Sequence, residues 1–163
     1  MSKLSSKYIG IITGIVMVIT GLILFYVVKL PAAGESQYAV WGLYTAGIIW
    51  ALVSYKTGAP ADASFKNYFS EGFKCFVVAA LIMVVYTFIF YKMNPQILED
   101  AIRENNALIL KEGNHIGPEI KENADKFRSI FIPAMMMTNT IIYLILGALV
   151  SVVGAGLLSQ KKV

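Results

Sequence analysis

Few side chains in this sequence could perform chemistry, and they are widely separated. Cys75 is the only cysteine and His115 the only histidine among 163 residues. One thiol cannot form a disulfide within a chain, and one cysteine with one histidine are too few for a four-ligand zinc site of cysteines and histidines. The acids Asp62 and Glu71 are separated by a predicted loop and have no histidine near them in sequence. We therefore predict no catalytic residue, metal, cofactor or enzymatic activity, and interpret His115 as a solvated loop residue.

The apolar stretches contain two short segments that merit attention. Thr138-Asn139-Thr140 is the most polar of them. Asn139 could contact a substrate or donate a hydrogen bond to a neighbouring helix, and we favour the hydrogen bond. Met135-Met136-Met137 could suggest a soft metal site. Consecutive residues on a helix point in different directions, however, so core packing is the better interpretation.

The apolar residues of the sequence form long blocks. The chain is 57% apolar and 15% charged, which excludes a disordered protein and argues against a soluble domain. About 20 residues cross the hydrocarbon core as a helix. The blocks of that kind are 8–28, 39–54, 75–91 and 130–158. We predict a single integral membrane domain over residues 1–163, with four transmembrane helices in an all-α fold.

The first and last blocks have unusual lengths. The first is too long for the apolar core of a signal peptide and lacks a good cleavage site after it, so we expect it to be retained as a helix. The last exceeds one bilayer thickness, so we expect it to tilt or protrude. Pro133, near its start, could kink the helix or mark its first turn.

The residue types within the spans bear on ion-coupled transport and on helix packing. None of the four blocks contains Asp, Glu, Lys, Arg or His, whereas ion-coupled transporters usually need ionisable groups within the bilayer. Small residues recur at helical spacing, which lets helix backbones approach closely inside the bundle or between chains. The helix-packing candidates are Gly10, Gly14, Gly42, Ala46, Gly147, Ser151 and Ala155.

The distribution of basic residues predicts the orientation. Each side of the membrane receives seven lysines and arginines. On the side of both termini they lie close to the span ends in short segments, whereas on the other side they are mixed with eight acids. Acids contribute little to the positive-inside rule, but the compactness of the first set favours two cytoplasmic termini. The sequence has no basic run suited to nucleic acid.

Residues 64–73 carry aromatic side chains at helical spacing before the third span. The anchor residues are Phe65, Tyr68, Phe69 and Phe73. Polar residues lie between them, a pattern typical of an amphipathic helix that lies at the membrane interface and runs into span three. This interfacial helix could anchor the chain on the bilayer, which we favour, or present a docking face to a partner.

The pattern of residues 94–129, between spans three and four, predicts an extramembrane helical hairpin. Asn94-Pro95 suits a helix start, and Gly113-Asn114 a helix end. Glu99 and Arg103 are spaced to pair across one turn. The two apolar stripes include the hairpin-face residues Leu98, Ile102, Ile120 and Phe127. The stripes could pack on each other, which we favour, or bind another protein, and we expect the second helix to continue into span four.

The layout as a whole resembles a known bacterial family. The segment from Ser64 to Lys74, the aromatic ending Tyr86-Thr87-Phe88-Ile89-Phe90-Tyr91 and the charged hairpin after Asn94-Pro95 are similar to the family called domain of unknown function 4199. The resemblance covers essentially the whole chain and implies a protein of the bacterial inner membrane. It brings no activity, cofactor or catalytic residue.

Two function classes fit these patterns. The first is an accessory or scaffold subunit of an envelope complex, joined to a protein partner or to itself through the small-residue faces. The second is a homo-oligomeric channel or carrier for an uncharged or lipid-like solute. We favour the first, because a pore needs a polar face along a span and only span four has a trace of one.

Overall fold

The computed structural model describes residues 4–31, 34–60, 62–112 and 117–160. Within them every regular element is helical. The α-helices are α1 (Ser6–Leu22), α2 (Glu35–Lys56), α3 (Phe65–Met93), α4 (Pro95–Glu112) and α5 (Gly117–Leu158). A short π-helical segment, Ile23–Val27, extends α1. The all-α prediction is confirmed for this part of the chain.

Four of these helices are long and apolar enough to cross a membrane: Ser6–Val27, Ser36–Lys56, Phe65–Met93 and Ile120–Leu158. They contain the predicted spans, apart from Val28 at the end of the first, which confirms the four-span fold. Their outward faces are covered with exposed aliphatic side chains, such as Ile15 and Ile19 on α1 and Ile145 and Leu149 on α5. Aliphatic faces of this extent suit lipid as the surrounding solvent.

Helix α3 begins with the predicted amphipathic segment. Residues 65–73 run directly into span three, as the sequence predicted, because α3 is unbroken from Phe65 to Met93. The apolar spacing of the anchor residues continues in phase through Phe76, Ala79 and Met83, which are buried. No proline interrupts this register, so the amphipathic segment forms the first turns of the membrane helix.

Helix α5 is as long as the sequence predicted. Its 42 residues span about 63 Å at 1.5 Å per residue, roughly twice the hydrocarbon thickness. The charged half of the predicted hairpin and span four are therefore one helix. Pro133 lies inside it and does not mark its start.

The chain divides into two compact units, Met1–Met83 with Thr140–Val163, and Val84–Asn139. In the first unit α1, α2 and parts of α3 and α5 pack closely. Tyr44 on α2 is fully buried and shares its hydroxyl proton between the carbonyl oxygens of Tyr143 (2.9 Å) and Phe76 (3.2 Å). One side chain thus connects α2 to both α3 and α5.

Glycines allow the close approach of the helices around Tyr44. A Cβ atom at Gly147 would lie 2.6 Å from the Phe76 ring and 2.6 Å from the Tyr44 hydroxyl. On α1, a Cβ at Gly10 would lie 2.6 Å from the carbonyl oxygen of Cys75. Because real Cβ atoms do not approach neighbours this closely, these contacts require glycine.

In the second unit, α5 contacts both α3 and α4. Ile102 and Phe131 are buried, and the rings of Tyr91 and Phe131 meet edge to face at 5.4 Å. Arg128 on α5 makes a forked pair with both carboxylate oxygens of Glu99 on α4, at 3.0 Å. Helix α5 therefore has a ring contact with α3 and an ion pair with α4.

Replacing Gly147 by alanine should reduce thermal stability in detergent, because the added methyl group overlaps the Phe76 ring and the Tyr44 hydroxyl. Overpacking of this kind costs about 1–3 kcal/mol. The matched control is Gly42→Ala on α2, where an added Cβ meets nothing within 4 Å. Equal melting temperatures for the two variants would contradict the packing described above.

Candidate functional site

The predicted helix-packing residues fall into two groups. Gly10, Gly14, Gly147, Ser151 and Ala155 are buried in the first unit. Gly42 and Ala46 on α2 are exposed, and a Cβ at Gly42 would meet no atom within 4 Å. The small residues of α1 and α5 are therefore used within this chain. Those of α2 form an open strip on its surface, which we call the α2 strip.

The α2 strip has aromatic and aliphatic neighbours. Tyr38 lies four residues before Gly42, and Trp50 four residues after Ala46. Both side chains are exposed, and the Tyr38 ring meets Trp41 edge to face at 5.4 Å. A strip of small residues between large ones is a shallow groove into which another helix can pack closely.

Sequence reasoning missed three close-packing glycines: Gly47, Gly72 and Gly154. Gly47 packs on Thr13 of α1, Gly154 on Leu52 of α2, and a Cβ at Gly72 would lie 2.6 Å from the Ser151 hydroxyl. Gly47 directly follows the predicted Ala46 but lies on the neighbouring face of α2. In the sequence, Gly47 is recognisable only as a glycine within a span, and this does not show which face of α2 packs on a neighbouring helix.

The anchor residues are also divided between exposed and packed positions. Phe65 and Phe73 are exposed, Phe69 is half-buried and Tyr68 is buried. The Tyr68 ring meets Tyr55 at the end of α2, with ring centroids 5.2 Å apart. Tyr68 is therefore a contact between helices, whereas Phe65 and Phe73 remain available to the membrane interface.

The acid that sequence reasoning could not place, Glu71, lies between α1 and α3. Its carboxylate accepts hydrogen bonds from the Ser6 hydroxyl (2.6 Å) and the Lys74 ammonium group (2.5 Å). Ser6 is buried, and the Glu71 side chain is 19% exposed. Both carboxylate oxygens thus have a partner, so Glu71 stabilises the contact between α1 and α3.

Asn139 forms the hydrogen bond between helices that the sequence favoured. Its Nδ2 donates to the Thr87 hydroxyl on α3 at 3.2 Å. The three consecutive methionines do not share one environment, since Met137 is exposed while Met135 and Met136 are half-buried. Across the described ranges, no group of three or more His, Cys, Asp or Glu residues is placed to hold a metal ion.

The hairpin presents the second surface of interest. Of its predicted face, Ile102 is buried, and Leu98, Ile120 and Phe127 are half-buried. The expected pairing of Glu99 with Arg103 is wrong, because Glu99 binds Arg128 and Arg103 lies 3.7 Å from Asp100. Residues 113–116, which include His115, lie outside the described residues.

A groove of about 400 Å³ runs along α4. Its lining residues are Glu99, Ile102, Arg103, Asn106, Ala107 and Leu110. The Oδ1 atom of Asn106 is buried and accepts no hydrogen bond. Leu108 and Leu110 are mostly exposed. Helix α4 thus has an inner face that includes the buried Ile102 and an outer face with uncovered apolar side chains.

Replacing Ile102 by aspartate should destabilise the hairpin, because Ile102 is 6% exposed and the new charge would be buried without a partner. Leu108→Asp is the matched control, since Leu108 lies on the same helix and is 60% exposed. Hydrogen exchange of the α4 amides in detergent measures the difference. Equal protection in the two variants would show that the inner face is not packed.

Comparison with known proteins gives a family and no function. Neither the search of curated proteins nor that of solved structures finds a match. The family described as "Protein of unknown function (DUF4199)" matches residues 8–159, from the first turn of α1 to just past the end of α5. This match covers nearly all of the first candidate span and the whole of the other three. The chain belongs to the DUF4199 family.

Proposed function

We propose that this protein is a non-enzymatic accessory or scaffold subunit of a bacterial envelope complex. It would reside in the inner membrane with both termini in the cytoplasm, as the distribution of lysines and arginines favours. Its role would be to hold a second membrane protein through a helix contact in the bilayer. The α2 strip is the observation that carries this proposal.

The α2 strip supports a partner because its small residues are exposed, whereas the predicted small residues of α1 and α5 already pack within the chain. On α1 and α5 the small residues are buried against neighbouring helices of the same chain, whereas Gly42 and Ala46 face outward. Lipid chains are as apolar as leucine, so close packing and hydrogen bonds, not hydrophobicity, select a partner helix. An open small-residue groove offers that close packing.

The hairpin offers a second contact outside the bilayer. Ile102 on its inner face is buried, while Leu108 and Leu110 on the outer side remain exposed. An extramembrane contact beside a membrane contact gives a subunit two points of attachment, and binding at two linked sites is stronger than at either alone. The strip and the outer face of α4 together suit a scaffold.

The competing function, a channel or carrier for an uncharged or lipid-like solute, has less support. A solute path needs polar groups free to face it, and the amide of Asn139 is already engaged by Thr87. Tyr44 is fully buried, and its hydroxyl donates to helix carbonyls. These polar groups join helices to each other.

Affinity purification of the full chain from native membranes in mild detergent, followed by mass spectrometry, tests the proposal. We expect a second protein in stoichiometric amount. Gly42→Leu should weaken its association by about 1–2 kcal/mol, which is roughly a five- to thirty-fold loss, because leucine fills the strip. Gly156→Leu is the matched control, since a Cβ there also meets nothing within 4 Å.

The outcomes separate the alternatives. A partner lost from Gly42→Leu and kept by Gly156→Leu supports a scaffold that uses α2. A partner kept by both variants would remove the α2 strip from the interface. Recovery of a pure homo-oligomer that conducts solutes in liposomes would overturn the subunit proposal in favour of transport.

A further inference from the structure

Contacts between helices bring three helix ends together at one end of the first unit. The Ser6 hydroxyl at the start of α1 binds the Glu71 carboxylate on α3 at 2.6 Å. At the end of α2, the Tyr55 ring meets Tyr68 of α3 at 5.2 Å. The first turn of α1, the last turn of α2 and the first turns of α3 therefore surround one end of this unit.

This end carries an excess of positive charge. Lys7, Lys56 and Lys66 are exposed there, one on each of the three helices. We call these three side chains the lysine rim. Within the described part of the chain they form no ion pair. Their ammonium groups are therefore available to a ligand.

The acids at this end offset little of that charge. Glu71 already accepts hydrogen bonds from Ser6 and Lys74. Asp62 is the remaining acid between the end of α2 and the start of α3. The connection between α1 and α2 differs, because its one lysine, Lys29, is matched by one acid, Glu35. The positive excess thus distinguishes this end from the connection between α1 and α2.

Aromatic side chains lie beside the lysine rim. Tyr8 is 62% exposed directly after Lys7, and Phe65 is 44% exposed directly before Lys66. Phe73 is exposed two turns further along α3. Exposed aromatic rings settle at the level of lipid headgroups. This placement would hold the ammonium groups of the rim at the depth of the lipid phosphates.

We propose that the lysine rim binds the anionic phospholipid headgroups of the leaflet at this end of the protein. The ammonium groups supply charge-assisted hydrogen bonds to phosphate oxygens, and the anionic leaflet attracts basic residues placed next to a membrane helix. The aromatic residues alone would anchor the chain on any lipid. The rim adds selection for negative charge, and it acts whether or not a protein partner binds the α2 strip.

Native mass spectrometry of the full-length protein tests this selection. The protein is exchanged into mixed micelles that contain equal amounts of phosphatidylglycerol and phosphatidylcholine with identical acyl chains. The ratio of the two lipids retained is then measured. We expect the wild type to retain at least about fivefold more phosphatidylglycerol, because each rim lysine contributes an attraction that phosphatidylcholine does not receive.

Matched variants assign the preference to the rim. The combined change Lys7→Gln, Lys56→Gln and Lys66→Gln should bring the ratio close to one. The control changes Arg103→Gln, Lys111→Gln and Lys121→Gln remove the same charge from exposed hairpin positions and should leave the ratio unchanged. Replacing the three rim lysines by arginine should preserve it, since the positive charge remains.

Equal retention of both lipids by the wild type would overturn the proposal. It would also fall if the rim glutamine variant kept its preference, or if the hairpin control lost as much. Size-exclusion chromatography of each variant shows whether it remains folded. If the glutamine variant does not remain folded, the test relies on the arginine variant. Loss of the phosphatidylglycerol preference in the arginine variant would contradict a charge-based site.

Discussion

The first unit depends on the close approach of neighbouring helices to α3. Inside a bilayer, surrounding lipid is as apolar as a leucine side chain, so burial of apolar surface does not pull helices together as it does in water. What remains is dense packing, which requires small residues, and hydrogen bonds between helices. Gly10 of α1 contacts the backbone of α3 at Cys75, and Gly147 of α5 receives the Phe76 ring of α3. Tyr44 completes the set by joining α2 to the carbonyl oxygens of α3 and α5.

This constraint determines which surfaces remain for other molecules. Small residues that pack within the chain cannot serve a partner, so the exposed pair Gly42 and Ala46 becomes distinctive. Polar groups follow the same division. Glu71 and Asn139 are occupied by contacts between helices, whereas the lysine rim carries exposed charge at one end of the first unit. The surfaces proposed for a protein and for lipid are therefore those that the packing of the chain leaves open.

The helices were predictable because apolar block length and charge placement are local properties of a sequence. The unbroken passage of α5 from hairpin to span four was also expected, since apolar and ion-pair spacings continue through that region without a break. The contacts between helices were harder, because a glycine in a span does not show which neighbour it meets. Gly47 was missed for this reason. The partner of Glu99 was misassigned because Arg128 is 29 residues away in sequence, beyond the reach of turn-by-turn spacing. A site for small molecules was not indicated by residue type, and the family carries no activity that could supply one.

The hydroxyl of Tyr44 offers the most direct test, because it joins three helices through one atom. Equilibrium unfolding of Tyr44→Phe in detergent should show a loss of roughly 1 kcal/mol, the usual size of a hydrogen bond between membrane helices. Tyr38→Phe removes a hydroxyl from an exposed position on the same helix and should leave the free energy of unfolding unchanged. If the two variants have the same stability as the wild type, the Tyr44 hydroxyl does not hold α2 to α3 and α5, and the account of the first unit is wrong.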